Sequence, residues 1–305
     1  MAINDFEKGF ATNMTAELDK AIVQKAVTGF FNDNAFGAKF VGAKTVSVPV
    51  MDMDGLGDYD RDAGYTQGGV KLEYKDYVLT MDRGRTFQID AQDADETGVA
   101  GLAGKVSAEF VRTKVVPEMD AYVLSKLGKH AETAAQTVTG TLDTDVLKMF
   151  NEAQVSIGGN LDFNQELVCF VNPTVWGALM NTSAITRQIT VSDFKQGDIN
   201  LQVKKLNGIT LIPVAESRMY TEYEWLDGKT ENETVGGFKK LDTAKHIGML
   251  MLPKSACMLV KKTDKVRVFD PMTTQHANAW KIDYRVYYDA LIKDSEKTGI
   301  YAYLY

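Results

Sequence analysis

The residues best suited to chemistry are aspartates in a short polar segment of the first quarter of the chain. The segment carries Asp52, Asp54, Asp58, Asp60 and Asp62. The spacing Asp58-x-Asp60-x-Asp62 resembles the start of a calcium-binding loop, in which alternate side chains supply oxygen ligands. The match then fails, because Ala63 stands where the turn glycine belongs and Gly69 where the bidentate glutamate belongs. The same acids equally fit a solvated hairpin tip whose charges prevent unwanted strand pairing.

Other catalytic patterns are absent from the sequence. It contains no P-loop, no dinucleotide fingerprint and no nucleophile elbow. The histidines His130, His246 and His276 lie far apart, and none has a second histidine or cysteine at ligand spacing. Cys169 and Cys257 each sit in an apolar run, which predicts two small buried side chains. The sequence therefore predicts no catalytic residue, no metal site and no cofactor.

Charge and composition exclude further classes of protein. The 305 residues carry a formal net charge of −7, and the longest basic runs are pairs of lysines. A tight nucleic-acid binder usually shows a basic face, so we expect no specific recognition of DNA or RNA. The N-terminus lacks a cationic stretch followed by an apolar one, and no apolar run is as long as a membrane span. These features predict a protein made in a reducing cytosol.

The N-terminal 31 residues predict an amphipathic helix that ends near Gly29. Its apolar stripe recurs every three or four positions at Ile3, Phe6, Phe10, Met14, Leu18 and Ile22. An apolar stripe of this kind must be covered. The pattern allows packing on the helix's own domain and docking on a neighbouring subunit equally.

A long hairpin is predicted next. Residues 44–51 alternate apolar and polar side chains, and Pro49 puts this strand at a sheet edge. Residues 52–69 form a polar loop, and a second alternating run begins at Val70. The alternation of this run slips at residues 75–76, which suggests a bulge. Because an isolated hairpin is marginal in water, we expect another subunit to hold it.

The remaining chain mixes helices and strands, which predicts an α+β fold. A long helix should span residues 93–129, beginning at a capping box and interrupted by Pro117. Beyond a polar boundary at residues 133–141, an α/β domain should extend to about residue 253. Its predicted elements are a helix around Val146, Met149, Phe150 and Ala153, a strand at 167–171, a helix opened by Pro173 and a strand at 209–214. Later strands are predicted at 255–261, 265–269, 279–291 and 299–305.

This order of elements resembles that of the major capsid proteins of tailed double-stranded-DNA bacteriophages. The segments that carry the resemblance are 77–90 (YVLTMDRGRTFQID), 93–96 (DADE), 110–112 (FVR), 116–122 (VPEMDAY), 208–214 (GITLIPV), 287–290 (YYDA) and 297–301 (KTGIY). The resemblance covers essentially the whole chain. It implies five parts: an N-terminal arm (1–43), an extended hairpin loop (44–90), a peripheral domain with a spine helix (91–132), an axial domain (133–253) and return strands (254–305).

The resemblance implies a structural subunit, not an enzyme, that assembles into an icosahedral shell of hexamers and pentamers. Head-to-tail contacts of this kind close into rings by rotation. We expect the intersubunit contacts to involve Phe6, Phe10, Met14, Leu18, Asp58, Tyr59, Arg61, Tyr65, Arg83 and Arg85. The implied partners are copies of the chain, a portal protein and packaged double-stranded DNA that is bound without sequence specificity. Because the sequence starts directly with the arm, a separate scaffolding protein is also expected. Such a subunit would assemble in the host bacterial cytoplasm and reside in the virion capsid.

Two alternatives remain open. An encapsulin-like bacterial compartment shell shares the implied fold and would package cargo enzymes in place of DNA. A metal-dependent α/β enzyme could build its site from the acidic loop together with Arg83 or Arg85. These two arginines are more simply interpreted as salt-bridge partners near a subunit seam.

Overall fold

The computed structural model describes residues 26–34, 39–42, 44–62, 64–92, 102–161, 165–181, 190–196, 199–273 and 278–305. The predicted arm helix lies almost entirely outside these residues. Gly29 does not end a helix as predicted, because it is the first residue of a 3-10 helix, Gly29–Asn34. The chain mixes helices with strands throughout its length, and the predicted α+β class is confirmed.

The described α-helices are α1 (Leu102–Phe110), α2 (Val116–Thr133), α3 (Leu142–Asn160) and α4 (Pro173–Asn181). The first seven strands are β1 (Lys39–Val41), β2 (Thr45–Met53), β3 (Val70–Val78), β4 (Met81–Asp90), β5 (Thr137–Val138), β6 (Leu167–Val171) and β7 (Thr190–Gln196). The later strands are β8 (Ile199–Leu206), β9 (Ile209–Pro213), β10 (Tyr223–Leu226), β11 (Gly237–Lys240), β12 (Ile247–Pro253), β13 (Cys257–Phe269), β14 (Ala279–Ile292) and β15 (Tyr301–Leu304).

The predicted hairpin is formed by β2 and β3, which pair antiparallel. The predicted bulge at residues 75–76 is wrong, because the register runs without a shift from Thr45 opposite Val78 to Met53 opposite Val70. β1 pairs with the start of β2, so β2 has neighbours on both sides there. The predicted position of this strand at a sheet edge is therefore wrong at residues 45–47, and Pro49 lies two residues beyond Ser47, the last residue of β2 that pairs with β1.

A second sheet is built from long strands in the order β13-β14-β4. The strands predicted at 255–261 and 265–269 form one strand, β13, with an irregularity between Lys261 and Thr263. β4 pairs along its whole length with β14. Residues 81–90, which the sequence interpretation placed in the extended loop, therefore belong to this sheet, and the hairpin ends at Val78.

The helix next to this sheet is continuous from Leu102 to Thr133. Residues 111–115 are π-helical, and the N–H of Val116 donates to the carbonyl of Val111. This widened turn lies directly before Pro117, whose ring and missing N–H would disrupt a regular helix. The predicted interruption at Pro117 is thus confirmed as a π-helical turn. The predicted capping box lies outside the described residues.

The α/β region is a seven-stranded sheet in the order β5-β15-β12-β6-β9-β8-β7, and α3 and α4 pack on it. The four apolar residues predicted to line a helix are all buried on α3, and α4 begins at Pro173 as predicted. The C-terminal strand is confirmed as β15, which pairs with β12 and β5. A small sheet, β10-β11, completes the described part.

The main core joins these parts around α2. Buried side chains of α2 pack against the β13-β14-β4 sheet and against one face of the seven-stranded sheet. Phe30 and Phe31 fill the same core and contact the ring of Phe170 at centroid distances of 6.1 Å. Cys169 and Cys257 are buried as predicted, and neither forms a disulfide. No helix in the described part of the chain is both long and apolar enough to cross a membrane.

Candidate intersubunit surface

The root of the hairpin is fixed to its own chain by apolar side chains. Val46 lies opposite Tyr77, and both point to the same face of the hairpin as Val48. This face packs against Met258 and Val260 of β13 and against Tyr287 and Leu291 of β14. The hydroxyl of Tyr287 also donates to the carbonyl of Leu79, at 3.1 Å.

The apolar side chains then change to the opposite face of the hairpin. Met51, Met53, Val70, Leu72 and Tyr74 share that face. Their exposed fractions are 59, 63, 69, 53 and 53%, so each side chain is at least half exposed. We call this surface the distal face. The change of face explains the slip in alternation at residues 75–76, because the root and the distal half bury opposite sides of a regular strand.

Exposure of the apolar distal face to water is unfavourable in free energy. Monomeric proteins rarely expose contiguous apolar patches of this kind, and such patches usually mark contacts with another macromolecule. The two halves of the hairpin differ in burial. The apolar side chains of the root are covered by β13 and β14 of the same chain, whereas those of the distal half stay exposed. The distal face is therefore the best described candidate for a contact between subunits.

The tip of the hairpin carries four of the predicted contact residues, Asp58, Tyr59, Arg61 and Tyr65. The rings of Tyr59 and Tyr65 meet edge to face at a centroid distance of 4.9 Å, and both side chains are exposed. Residues Asp60 and Gly64 close the tip through a pair of backbone hydrogen bonds of 2.8 and 3.1 Å. Gly64 adopts a φ of +83°, which favours glycine at this turn. Arg61 is exposed between them.

The acidic residues of the tip serve the backbone of the loop. The carboxylate of Asp60 accepts the N–H of Asp62 at 2.7 Å, and Asp54 accepts the N–H of Gly69 at 2.6 Å. The carbonyl of Asp58 accepts from the hydroxyl of Thr66. Among the residues that the structure describes, no group of three or more His, Cys, Asp or Glu side chains could hold a metal ion. The calcium candidate Asp58, Asp60 and Asp62 thus gains no support from the geometry.

Arg83 makes its described contacts within the chain. Its guanidinium pairs with Glu118 of α2 at 2.7 Å, and both side chains are largely buried. The same group donates to the carbonyls of Leu226 and Gly237, at 2.9 and 3.1 Å. Arg83 thus ties β4 to the spine helix and to the β10-β11 hairpin. Arg85 stays exposed and donates to the carbonyl of Thr234 at 3.1 Å.

The predicted contact residues of the arm, Phe6, Phe10, Met14 and Leu18, lie outside the described residues. The first described residues of the arm segment are anchored to the core. The buried carboxylate of Asp120 accepts the hydroxyl of Thr28 at 2.7 Å and the guanidinium of Arg218 at 2.9 Å. Burial raises the pKa of Asp120, and the bonds from Thr28 and Arg218 oppose that shift. Thr28 of the arm segment is therefore held at a defined position in the core.

Sequence reasoning missed Asp120 and a second buried carboxylate, Asp289. Asp289 is the single acid in the apolar segment 286–292 (VYYDALI), which is a signal that could have revealed it, whereas Asp120 stands two residues from Glu118 and carries no such signal. Asp289 accepts hydrogen bonds from Thr80 at the hairpin root and from Tyr122 and Lys126 on α2. Their partners come from distant parts of the chain, so the sequence alone could not have paired them.

Comparison with known proteins places the fold. No protein-family model matches the sequence, and no curated protein is similar to it. The capsid of cyanophage P-SCSP1u is similar with a TM-score of 0.56 at 14% identity, over 87% of this chain and 84% of that chain. The mature capsid of bacteriophage PhiM1 gives a TM-score of 0.54 at 13% identity, over 86% and 82%. A virus-like particle from Pyrococcus furiosus gives 0.53 at 6% identity, over 96% and 99%.

These similarities cover most of each chain and establish the fold. The chain has the capsid fold that the sequence predicted for it, with the hairpin, the spine helix and the α/β region in the expected order. At identities of 14% and below, the likeness extends to the fold alone.

Proposed function

We propose that this chain is the structural subunit of an icosahedral capsid shell that encloses the genome of a tailed phage. The observation that carries the proposal is the distal face, an exposed apolar surface on a projecting hairpin of a fold shared with phage capsids. A subunit that works by assembly needs such a surface, and the described part of the chain leaves the distal face at least half exposed.

The distal face would dock on a second copy of the chain. Fully burying one Leu, Met or Val side chain stabilises an assembly by about 1.5–3 kcal/mol. The five side chains of the distal face are already partly covered, so their complete burial would contribute on the order of 5 kcal/mol for each subunit. Association costs a comparable amount, so a single contact is weak. Contacts repeated around a closed ring would make the shell stable while each one stays reversible.

We infer hexamers and pentamers built from head-to-tail contacts, in which the distal face of one copy would dock on a different surface of its neighbour. We infer that residues 1–43 act as an arm, 133–253 as the axial domain and 254–305 as return strands. The spine helix and residues 81–90 would form the peripheral domain, since β4 pairs with β14. The arm residues Phe6, Phe10, Met14 and Leu18 and the tip residues Asp58, Tyr59, Arg61 and Tyr65 would add contacts between copies. Arg85, which is exposed, would also contact a neighbouring copy. Arg83 would instead stabilise the position of β4 within its own chain.

The further partners belong to the same proposal. A separate scaffolding protein would guide assembly, a portal protein would occupy one vertex, and double-stranded DNA would be packaged without sequence-specific contacts. Assembly would take place in the host bacterial cytoplasm, and the finished protein would reside in the virion capsid. The proposal assigns the chain no catalytic role, since its polar clusters serve structural contacts.

A compartment shell is the second candidate, because the virus-like particle from Pyrococcus furiosus matches this chain over 99% of its own length. The contents of the particles distinguish the two. Nucleic acid together with a portal complex would support the phage capsid, and a protein cargo would support the compartment.

A shortened hairpin tests the docking surface itself. Asp54 and Gly69 already form a backbone hydrogen bond, so residues 55–68 can be replaced by Asn-Gly, which suits a two-residue turn. This variant removes the tip and keeps both strands. A variant ending the hairpin at Ser47 and Asp76 would also remove the distal face. We expect the second variant to fold and to form no shells, and normal shells would overturn the docking role.

A further inference from the structure

The hairpin root and the spine helix meet at one buried carboxylate. Asp289 lies on β14 with 1% of its surface exposed. Its Oδ2 accepts the N–H and the hydroxyl of Thr80, at 3.3 and 3.1 Å. Its Oδ1 accepts the hydroxyl of Tyr122 at 2.7 Å and the ammonium of Lys126 at 2.6 Å. The N–H of Ala290 also donates to Oδ1 at 2.7 Å. We call Asp289, Thr80, Tyr122 and Lys126 the Asp289 hub.

The members of the hub come from three different parts of the chain. Thr80 lies in the two-residue link between β3 of the hairpin and β4. Tyr122 and Lys126 lie one turn apart on α2, and the ammonium of Lys126 also sits 5.6 Å from the Tyr122 ring centroid. The hydroxyls of Thr80 and Tyr122 are 2.9 Å apart, so the hairpin link touches the spine helix directly. The hub is therefore a single network that spans hairpin, helix and sheet.

The hub depends on directional hydrogen bonds to one buried, charged acceptor. An ionised carboxylate only accepts hydrogen bonds, and here donors meet both of its oxygens. Bonds to a charged acceptor are stronger than neutral ones, and in a buried site the loss of one leaves a donor unsatisfied. The apolar contacts at the hairpin root are non-directional by comparison. The apolar cluster therefore holds the root in place, while the hub can define its angle.

We propose that Asp289 is a positioning residue that fixes the angle of the hairpin relative to the spine helix. The inference rests on the proposed function, in which the hairpin must reach a neighbouring copy. A shift of α2 at Tyr122 and Lys126 is transmitted through Asp289 to Thr80, and hence to the strand that carries the distal face. The two elements change position together, because they share one acceptor.

The test replaces Asp289 by Asn and measures the hairpin directly. The amide is isosteric, but it puts an NH₂ donor where Thr80 or Tyr122 also donates. Spin labels at Glu73→Cys on β3 and Lys114→Cys beside α2 report the distance between hairpin and helix in unassembled subunits. The native cysteines do not interfere, because burial raises the pKa of both thiols, that of Cys257 to about 12. Asp283→Asn is the matched control, since Asp283 lies on the same strand as Asp289, β14, and accepts from the hydroxyl of Thr86 of β4, away from the hub.

We expect a broad distance distribution in Asp289→Asn and a narrow one in the wild type and in Asp283→Asn. Amide exchange at residues 79–81 should rise by about tenfold in Asp289→Asn, as for the loss of one charge-assisted hydrogen bond. An unchanged distribution in a folded Asp289→Asn variant would overturn the positioning role. If that variant does not fold, Tyr122→Phe decides, because it removes one hydroxyl and keeps the ring, and a narrow distribution there would overturn the role equally.

Assembly of the same variants separates this inference from the proposed function. A mobile hairpin with poor shell formation supports both. A mobile hairpin with normal shells supports the positioning role of Asp289 and shows that assembly does not need a fixed hairpin angle in the free subunit, and the shortened hairpin then decides whether assembly needs the distal face. The distance measurement uses unassembled subunits, so it tests the positioning role of Asp289 even if the chain forms no shell.

Discussion

Met51 and Leu72 lie directly opposite each other on β2 and β3, and each exposes more than half of its side chain on the distal face. Across the sheet, their strand neighbours Val50 and Glu73 form the equivalent pair on the other face. These two cross-strand pairs provide a matched test of which face of the hairpin makes the contact between subunits.

Replacing Met51 and Leu72 together by Asn should leave the subunit folded, because neither side chain contributes to the described core. Shell formation should fall sharply, since the apolar contribution of the distal face is lost. Light scattering and electron microscopy of purified protein measure the yield of shells. The control, Val50→Asn with Glu73→Asn, should assemble normally. Equal yields from both double variants would show that the distal face is not the docking face.

The arm makes a separate prediction. Replacing Phe10 and Leu18 together by Asp should give a folded subunit that forms no shells, if the apolar stripe docks on a neighbouring copy. Circular dichroism and thermal unfolding report folding, and electron microscopy reports assembly. An unfolded variant would instead indicate that the stripe packs on its own domain. Normal shells would contradict a role for the arm in contacts between subunits.

Arg83 should matter for folding more than Arg85 does. Arg83→Met removes the guanidinium that pairs with the largely buried Glu118 and donates to two carbonyls, and should cost about 1–3 kcal/mol of unfolding free energy. Arg85→Met removes an exposed contact and should change the unfolding free energy by at most about 0.5 kcal/mol. Denaturant unfolding of both variants compares them. A larger loss in Arg85→Met would contradict the assignment of these roles.

Acid should loosen the attachment of the hairpin. Lys75 on β3 pairs with Asp294, and its hydrogen bond lowers the pKa of that carboxyl below 3.8. Arg285 likewise lowers the pKa of Asp82 on β4. Because the folded pKa values are lowered, this stabilisation is complete above the ordinary pKa and is lost as the pH falls through the lowered one. Below about pH 4, amide exchange in β3 should therefore increase.

Asp294→Asn is the control for the acid prediction, because it removes the carboxyl that titrates. Its hairpin should already exchange faster near neutral pH, and its exchange should change less between about pH 5 and pH 2 once intrinsic rates are taken into account. Parallel pH profiles for wild type and variant would contradict a role for the Lys75–Asp294 pair. The effect should shrink in high salt, because both side chains are about half exposed.

The local sequence correctly predicted elements that leave a mark over a few neighbouring residues, such as apolar alternation or a proline. Val46 and Val48 alternate because their face packs on β13 and β14, and Pro173 opens α4 because its missing N–H costs nothing at the first turn. Pro117 likewise marked the π-helical turn before α2. For the two prolines the physical cause lies within a few residues of the signal. The alternation of Val46 and Val48 is visible in the local sequence, although the strands that cover their face are distant in the chain.

Sequence reasoning failed where the cause lies elsewhere in the chain. The slip at residues 75–76 suggested a bulge, but the strand is regular and the covered face changes between root and distal half. β4 was placed in the hairpin because its partner strand, β14, lies about 200 residues away in sequence. Asp289 has the same origin, since its donors Thr80 and Tyr122 are brought to it by the fold.

The most direct test of self-assembly is the mass and shape of the purified full-length chain, expressed alone and with a candidate scaffolding protein. Size-exclusion chromatography with light scattering, followed by electron microscopy of the early fractions, gives both quantities. For a capsid subunit we expect closed shells, or rings of five and six subunits, in at least one of the two preparations. A chain that stays monomeric in both, at concentrations where it is folded, would contradict the claim that it works by building a shell.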